Sequence, residues 1–171
     1  MSIKSLYLVL VISLTIFGLV QCSGRNSKEQ ELEWPPSWKT AVEKAPTVPY
    51  CDLVRNPANF TNQVIRTEAV FSKNLENSVL RDPTCKESYT WVEFDPAYVY
   101  SSDEVKIRFS ELTCLKQARC DGRARVTAVG RFEGPSETGY GHLGCCPYRF
   151  SIMRIEKTEA EPSSTAPLET N

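Results

Sequence analysis

The sequence predicts a mainly β domain with one helical insertion, on three observations. Short β-branched or alternating segments recur between Pro, Gly and Asn punctuation, a helix start signal falls after the third of them, and two further strands follow. Three strands, a helix and two strands is the element order of a five-stranded, OB-like Greek-key barrel.

The elements follow in order. Tyr50 to Asn56 offers a short helix that buries Leu53 and Val54 and ends before Pro57, and Asn62 supplies a turn in the left-handed region. Val64 to Phe71 reads as the first strand, with Ile65, Thr67, Ala69 and Phe71 on one face. Glu76 to Arg81 is a short second strand stopped by Asp82-Pro83. Thr90 to Phe94 is the third, with Trp91 and Glu93 on one face, Val92 and Phe94 on the other, and Asp95-Pro96 at its close. Ser101 and Glu104 stand at capping-box spacing. Val105 to Phe109 alternates as well as it winds, so a helix is expected from about Ser110 onward, with the earlier residues open between helix and strand. Arg123 to Phe132 is the clearest strand and Tyr148 to Ile155 the last, joined by a Gly-rich loop over 134–144.

Both flanks read differently. One Lys precedes an uncharged apolar run from Leu6 to Val20, about the length of a signal-peptide core and shorter than a membrane span. Residues 1–22 are therefore expected to be a signal peptide with a lipobox-like end, Leu19-Val20-Gln21-Cys22, in which Gln21 stands where Gly, Ala or Ser is usual. A plain secretory peptide cut after Cys22 and an uncleaved anchor are the alternatives, and all three export the remainder. Residues 23–49, broken by Pro35, Pro36, Pro46 and Pro49, read as a flexible tether, although Trp34 and Trp38 offer groups that could pack back. Residues 157–171 read as a disordered tail, which leaves 50–156 as the folded barrel.

On these residues the chain resembles the small exported OB-like domains of bacterial lipoproteins, and in outline the anticodon-binding-like barrels. The resemblance rests on Cys22 with the residues before it, on Asn56-Pro57-Ala58-Asn59-Phe60-Thr61-Asn62-Gln63-Val64 leading into the first strand, and on Val129-Gly130-Arg131-Phe132-Glu133-Gly134 closing the fourth. It implies that Cys22 is diacylated and becomes the first residue after cleavage, so the domain is held at the cell envelope through a lipid anchor. Without acylation the protein is secreted.

Charge and composition exclude several function classes. The whole chain carries a net charge of -1, and between Cys51 and Glu156 fourteen basic residues balance fourteen acidic ones, so no basic excess marks a nucleic-acid partner. A single His, no paired carboxylate motif and no nucleophile elbow leave little for acid/base catalysis. The expectation is a non-enzymatic module without a cofactor that binds a protein or a small molecule.

Seven cysteines are the compositional anomaly. With Cys22 set aside, Cys51, Cys85, Cys114, Cys120, Cys145 and Cys146 form an even set, which in an exported domain reads as structural disulfides of undetermined connectivity. Adjacent Cys145 and Cys146 would face opposite ways in an extended segment and so take different partners. Zinc is the alternative, with His142, Cys145, Cys146, Cys114 and Cys120 as soft ligands, but no Cys-x-x-Cys pair is present. The same absence removes the usual basis for thioredoxin-like redox chemistry. His142 as the base of a hydrolase is a further alternative. Tyr140 and His142 in the Gly-rich loop, with Trp91, are the ligand-loop candidates, and Trp91, Tyr98 and Tyr100 are potential stacking surfaces. Asn59-Phe60-Thr61 is a glycosylation sequon, relevant in a eukaryotic host.

Overall fold

The first strand shows how the hydrophobic pattern becomes architecture. In β1 (Gln63–Lys73), Ile65, Thr67, Ala69 and Phe71 are all buried, as their period of two requires. The computed structural model describes residues 34–85, 89–114 and 121–161. Five strands, β1, β2 (Ser78–Arg81), β3 (Thr90–Tyr100), β4 (Gly122–Glu133) and β5 (Tyr148–Glu159), form a closed barrel in the order β1-β2-β3-β5-β4. β1 pairs antiparallel with β4 along its whole length, from Gln63 opposite Phe132 to Lys73 opposite Gly122. β3 and β5 run parallel, so the chain must cross the barrel between them. It does so through one helix and β4.

That helix is α3; before the barrel lie α1 (Pro36–Glu43) and α2 (Tyr50–Arg55). α3 covers Asp103–Thr113, which corrects the expected start near Ser110. Its N-cap is Ser102, whose Oγ accepts from the Val105 amide at 3.3 Å. Ser101 serves elsewhere, because its hydroxyl donates to the Glu156 carbonyl at 2.9 Å and so ties the end of β3 to β5. Phe109 drives α3 onto the barrel, fully buried with its ring 5.2 Å from Phe71 and 5.9 Å from Tyr100. Cys114 ends the helix in the left-handed region at φ 50°.

β3 does not stop at Asp95-Pro96 but continues to Tyr100. A shift in the β3–β5 register between Phe94 and Val99 absorbs the proline, because a bulge needs no ladder hydrogen bond from the missing N–H. Asp95 Oδ1 accepts from the Ala97 amide at 2.9 Å within that bulge.

The flanks require larger corrections. From Trp34 onward the expected tether is folded structure: Pro35 and Pro36 start α1, as proline does at a first helical turn, and do not keep the chain extended. Val42 and Ala45 bury against the outward-facing Val129 of β4 and Met153 of β5, giving these strands a second small core. The Trp34 indole N–H donates to Asp95 Oδ1 at 3.0 Å, and Trp38 lies under the Arg131 guanidinium at 5.8 Å. Arg66 closes the attachment, donating from Nη1 to the Ala45 carbonyl and from Nε and Nη2 to both carboxylate oxygens of Glu156. At the other end β5 runs to Glu159, three residues into the expected tail, because Lys157, Thr158 and Glu159 find partners at Thr127, Val126 and Arg125 of β4. The expected signal peptide, Cys22 and residues 162–171 lie outside the described residues. Among the described residues no helix is long and apolar enough to cross a membrane.

A docked α1 predicts that Val42→Asp costs at least about 2 kcal/mol in denaturant unfolding, since it buries an unpaired carboxylate; a free tether would register no change. The hydrogen bonds from Arg66 hold the Glu156 carboxyl below its ordinary 4.5, with Arg154 adding to the effect against burial. The folded state therefore binds the Glu156 proton less readily than the unfolded chain. Its contribution is present above 4.5 and is lost as the pH falls through the depressed folded value. Glu156→Gln should flatten the acid limb of stability measured between neutral pH and that range.

Candidate functional site

The β4–β5 loop, 134–147, folds back onto the outer face of β3. Alternation along β3 sends Thr90 and Val92 inward, leaving Trp91 half-buried and Glu93 exposed on the outside. Gly141 lies directly on the Trp91 indole: a Cβ there would come within 2.2 Å of the ring, and φ +76° also disfavours a side chain. Further along, the amides of Tyr140 and Cys146 each donate to the other's carbonyl, which closes the loop on itself. The loop then reaches the β1–β2 turn, where Cys145 Sγ is 3.9 Å from Asn77 Oδ1.

Arg149 is the electrostatic centre of this face. It stands beside Trp91 in the parallel register and opposite Glu133 in the antiparallel one. Its guanidinium pairs with Glu133, reaches Glu93 at 3.3 Å and lies 5.0 Å from the centroid of the Tyr140 ring. Burial disfavours its charge, but the Glu133 hydrogen bond and the two carboxylates outweigh burial and raise its pKa above the ordinary value. Arg149 therefore stays cationic and holds Tyr140 against the barrel wall.

The β1–β2 turn is shaped by Asn74, whose side-chain oxygen accepts from the amides of Glu76 and Asn77 at 3.0 and 2.7 Å. A shallow cavity of about 120 Å³ lies beside it, lined mainly by polar groups including Ser72, Lys73, Asn77 and Arg123. Two large apolar side chains project from the two joined loops: Leu75, 69% exposed, and Leu143, 91% exposed and held at φ 56°. A leucine presented in the left-handed region at a loop tip is carried away from the core by its own backbone.

Of the three ligand-loop candidates, the structure brings Trp91 and Tyr140 together, through Gly141 and Arg149. His142 lies exposed in the short turn His142–Gly144. Tyr98 and Tyr100 are engaged elsewhere, in the aromatic chain Phe94, Tyr98, Tyr100 and Phe109 beside α3. Arg149, Leu75 and Leu143 were not singled out from the sequence. Arg149 follows Tyr148 in an alternating strand, which marks it only as outward-facing, and its partners Glu93 and Glu133 come from strands whose pairing the sequence does not state.

Among the cysteines, Cys51 and Cys85 form a disulfide with Cα atoms 5.5 Å apart, and Cys114 is also disulfide-bonded. Cys120 and Cys22 lie outside the described residues. Cys145 and Cys146 are free thiols. Contrary to the expectation of opposite faces, their sulfurs lie 2.7 Å apart, because Cys145 takes helical backbone at φ -60°, ψ -26° and is not extended. Among the described residues the zinc set is not assembled. Cys114 is committed to a disulfide, and among the described residues the one group of three candidate ligands within metal-binding reach is Cys51, Asp82 and Cys85, whose two sulfurs are bonded to each other. Comparison of the chain with protein-family profiles, curated proteins and solved structures finds no significant match.

The contact between Gly141 and Trp91 yields a direct test. Gly141→Ala should displace the loop, shift the tryptophan emission of the folded protein and lower stability by roughly 1–3 kcal/mol; unchanged emission and stability would show that the loop does not rest on Trp91.

Proposed function

We propose that the protein is a non-enzymatic, membrane-tethered, OB-like binding module of the cell envelope that takes a protein partner on the face where the β4–β5 loop meets the β1–β2 turn. The observation that carries this reading is the pair of projecting leucines, Leu75 and Leu143, on two loops that touch through Asn77 and Cys145. The leucines offer exposed apolar area, and the neighbouring Arg149, Tyr140 and Trp91 are of the residue types enriched at protein-binding hot spots. Size argues the same way, since the adjacent cavity of about 120 Å³ falls below the roughly 300 Å³ at which small-molecule sites begin. The strand order, the parallel β3–β5 pairing and the helix between β3 and β4 support the OB-like assignment. The tether reading rests on the apolar run from Leu6 to Val20 and on Cys22.

A photo-crosslinking residue placed at His142 in the full-length protein, expressed in its native host, tests this. A discrete protein adduct is expected in the membrane fraction. Leu143→Asp and Leu75→Asp should each lower its yield at least about tenfold, while Cys22→Ser should move it to the soluble fraction. An adduct indifferent to both leucine variants, or a membrane association indifferent to Cys22, overturns the corresponding half of the reading.

A further inference from the structure

Cys145 and Cys146 are thiols that neither the disulfide framework nor the ion network employs. Three features of the backbone bring them together. Gly144 turns the chain at φ +65°, Cys145 is helical, and Cys146 is fixed by its two hydrogen bonds with Tyr140. Sulfurs 2.7 Å apart are too close for two thiols that each keep a full van der Waals shell. The two also differ in access: Cys145 is exposed, with Sγ 3.7 Å from the Tyr140 carbonyl, whereas Cys146 is 1% exposed.

We propose that Cys145 and Cys146 are a vicinal redox pair that closes into a disulfide by exchange with an external disulfide, Cys145 reacting first and Cys146 resolving. The exposed Cys145 thiolate attacks one sulfur of the external disulfide, forms a mixed disulfide and releases the first external thiolate. Cys146 then gives up its proton and attacks Cys145 Sγ, and the bond to the second external sulfur breaks. The two protons lost by the cysteines end on the two released thiols. Two protein thiols are thus oxidised and one external disulfide is reduced to two thiols. Burial, followed by the hydrogen bond and charge of Cys145, pushes the Cys146 thiol up to about 12, which keeps it protonated and inert while Cys145 is free. Capping Cys145 removes its charge and its hydrogen bond, the two lesser causes that hold the Cys146 proton, and leaves burial. Leu143 and Tyr140, of the face described above, belong to the same loop as this pair. The redox chemistry itself does not require that face to bind a partner.

Trypsin releases both cysteines in one peptide, Phe132 to Arg149, which contains no other cysteine. The full-length folded protein is equilibrated with oxidised glutathione, alkylated without reduction and digested. The peptide is expected two hydrogens lighter than the dithiol and free of alkyl groups. A doubly alkylated peptide, or one crosslinked to a different cysteine, overturns the pairing. The order of attack is tested with single variants: Cys146→Ser should accumulate glutathione on Cys145 at least about tenfold faster than Cys145→Ser does on Cys146. Equal rates overturn the assigned roles.

Discussion

The barrel is closed at its narrowest point by a seam of two residue pairs, Val79 with Trp91 and Leu80 with Thr90. Every other strand contact in the ring is longer, so the integrity of the whole depends on what reinforces this one. The Tyr50 hydroxyl, buried with its ring, donates to the Leu80 carbonyl at 2.9 Å and shares a hydrogen bond with Thr90 Oγ1 at 2.8 Å, which spans the seam from inside. A buried phenol so placed is held protonated, and burial raises its pKa well above the ordinary value. The neighbouring Cys51 is bonded to Cys85 just beyond β2, so α2 fastens the seam covalently as well. A crosslink closing a loop of this length removes roughly 3–4 kcal/mol of chain entropy from the unfolded state.

The outside of the barrel is organised on the same principle of one element covering another. Val129 and Met153 point away from the main core and would be an exposed apolar patch without α1. Arg66 makes α1 part of the barrel, since one guanidinium serves the Ala45 carbonyl and Glu156 together. On β3, Trp91 is presented outward and the Gly-rich loop covers it, with Arg149 fixing the loop through Tyr140. The glycine contact and the cation–π contact hold the loop to the wall at Gly141 and Tyr140, while His142 and Leu143 beyond them are exposed.

The strands were legible because each alternates or is β-branched over a stretch bounded by turn residues, as in Arg123 to Phe132. What the sequence concealed has three physical causes. Proline was read as a terminator at Pro96 and as a tether marker at Pro35-Pro36, whereas a bulge and a first helical turn accept it at little cost. The extension of β5 to Glu159 is tertiary: Lys157-Thr158-Glu159 has no apolar pattern, and β4 supplies the partner that makes it a strand. The site was half visible. Tyr140 was identifiable as an aromatic residue among glycines and Trp91 as an aromatic residue on a strand, but Arg149 acts through carboxylates of two other strands, and the meeting of Cys145 with Cys146 depends on one helical residue in a loop.

The pairing of β1 with β4 along their full lengths also sets a kinetic demand. β1 has only the four residues of β2 as a local partner, and the rest of it waits for a strand that comes after β3 and α3. Folding dominated by such distant pairings is slow, on the order of milliseconds to seconds. A chain emerging amino-terminus first therefore presents Ile65 and Ala69 on the unpaired part of β1 well before β4 exists to cover it, and the interval between the two is the time in which this protein is most open to aggregation.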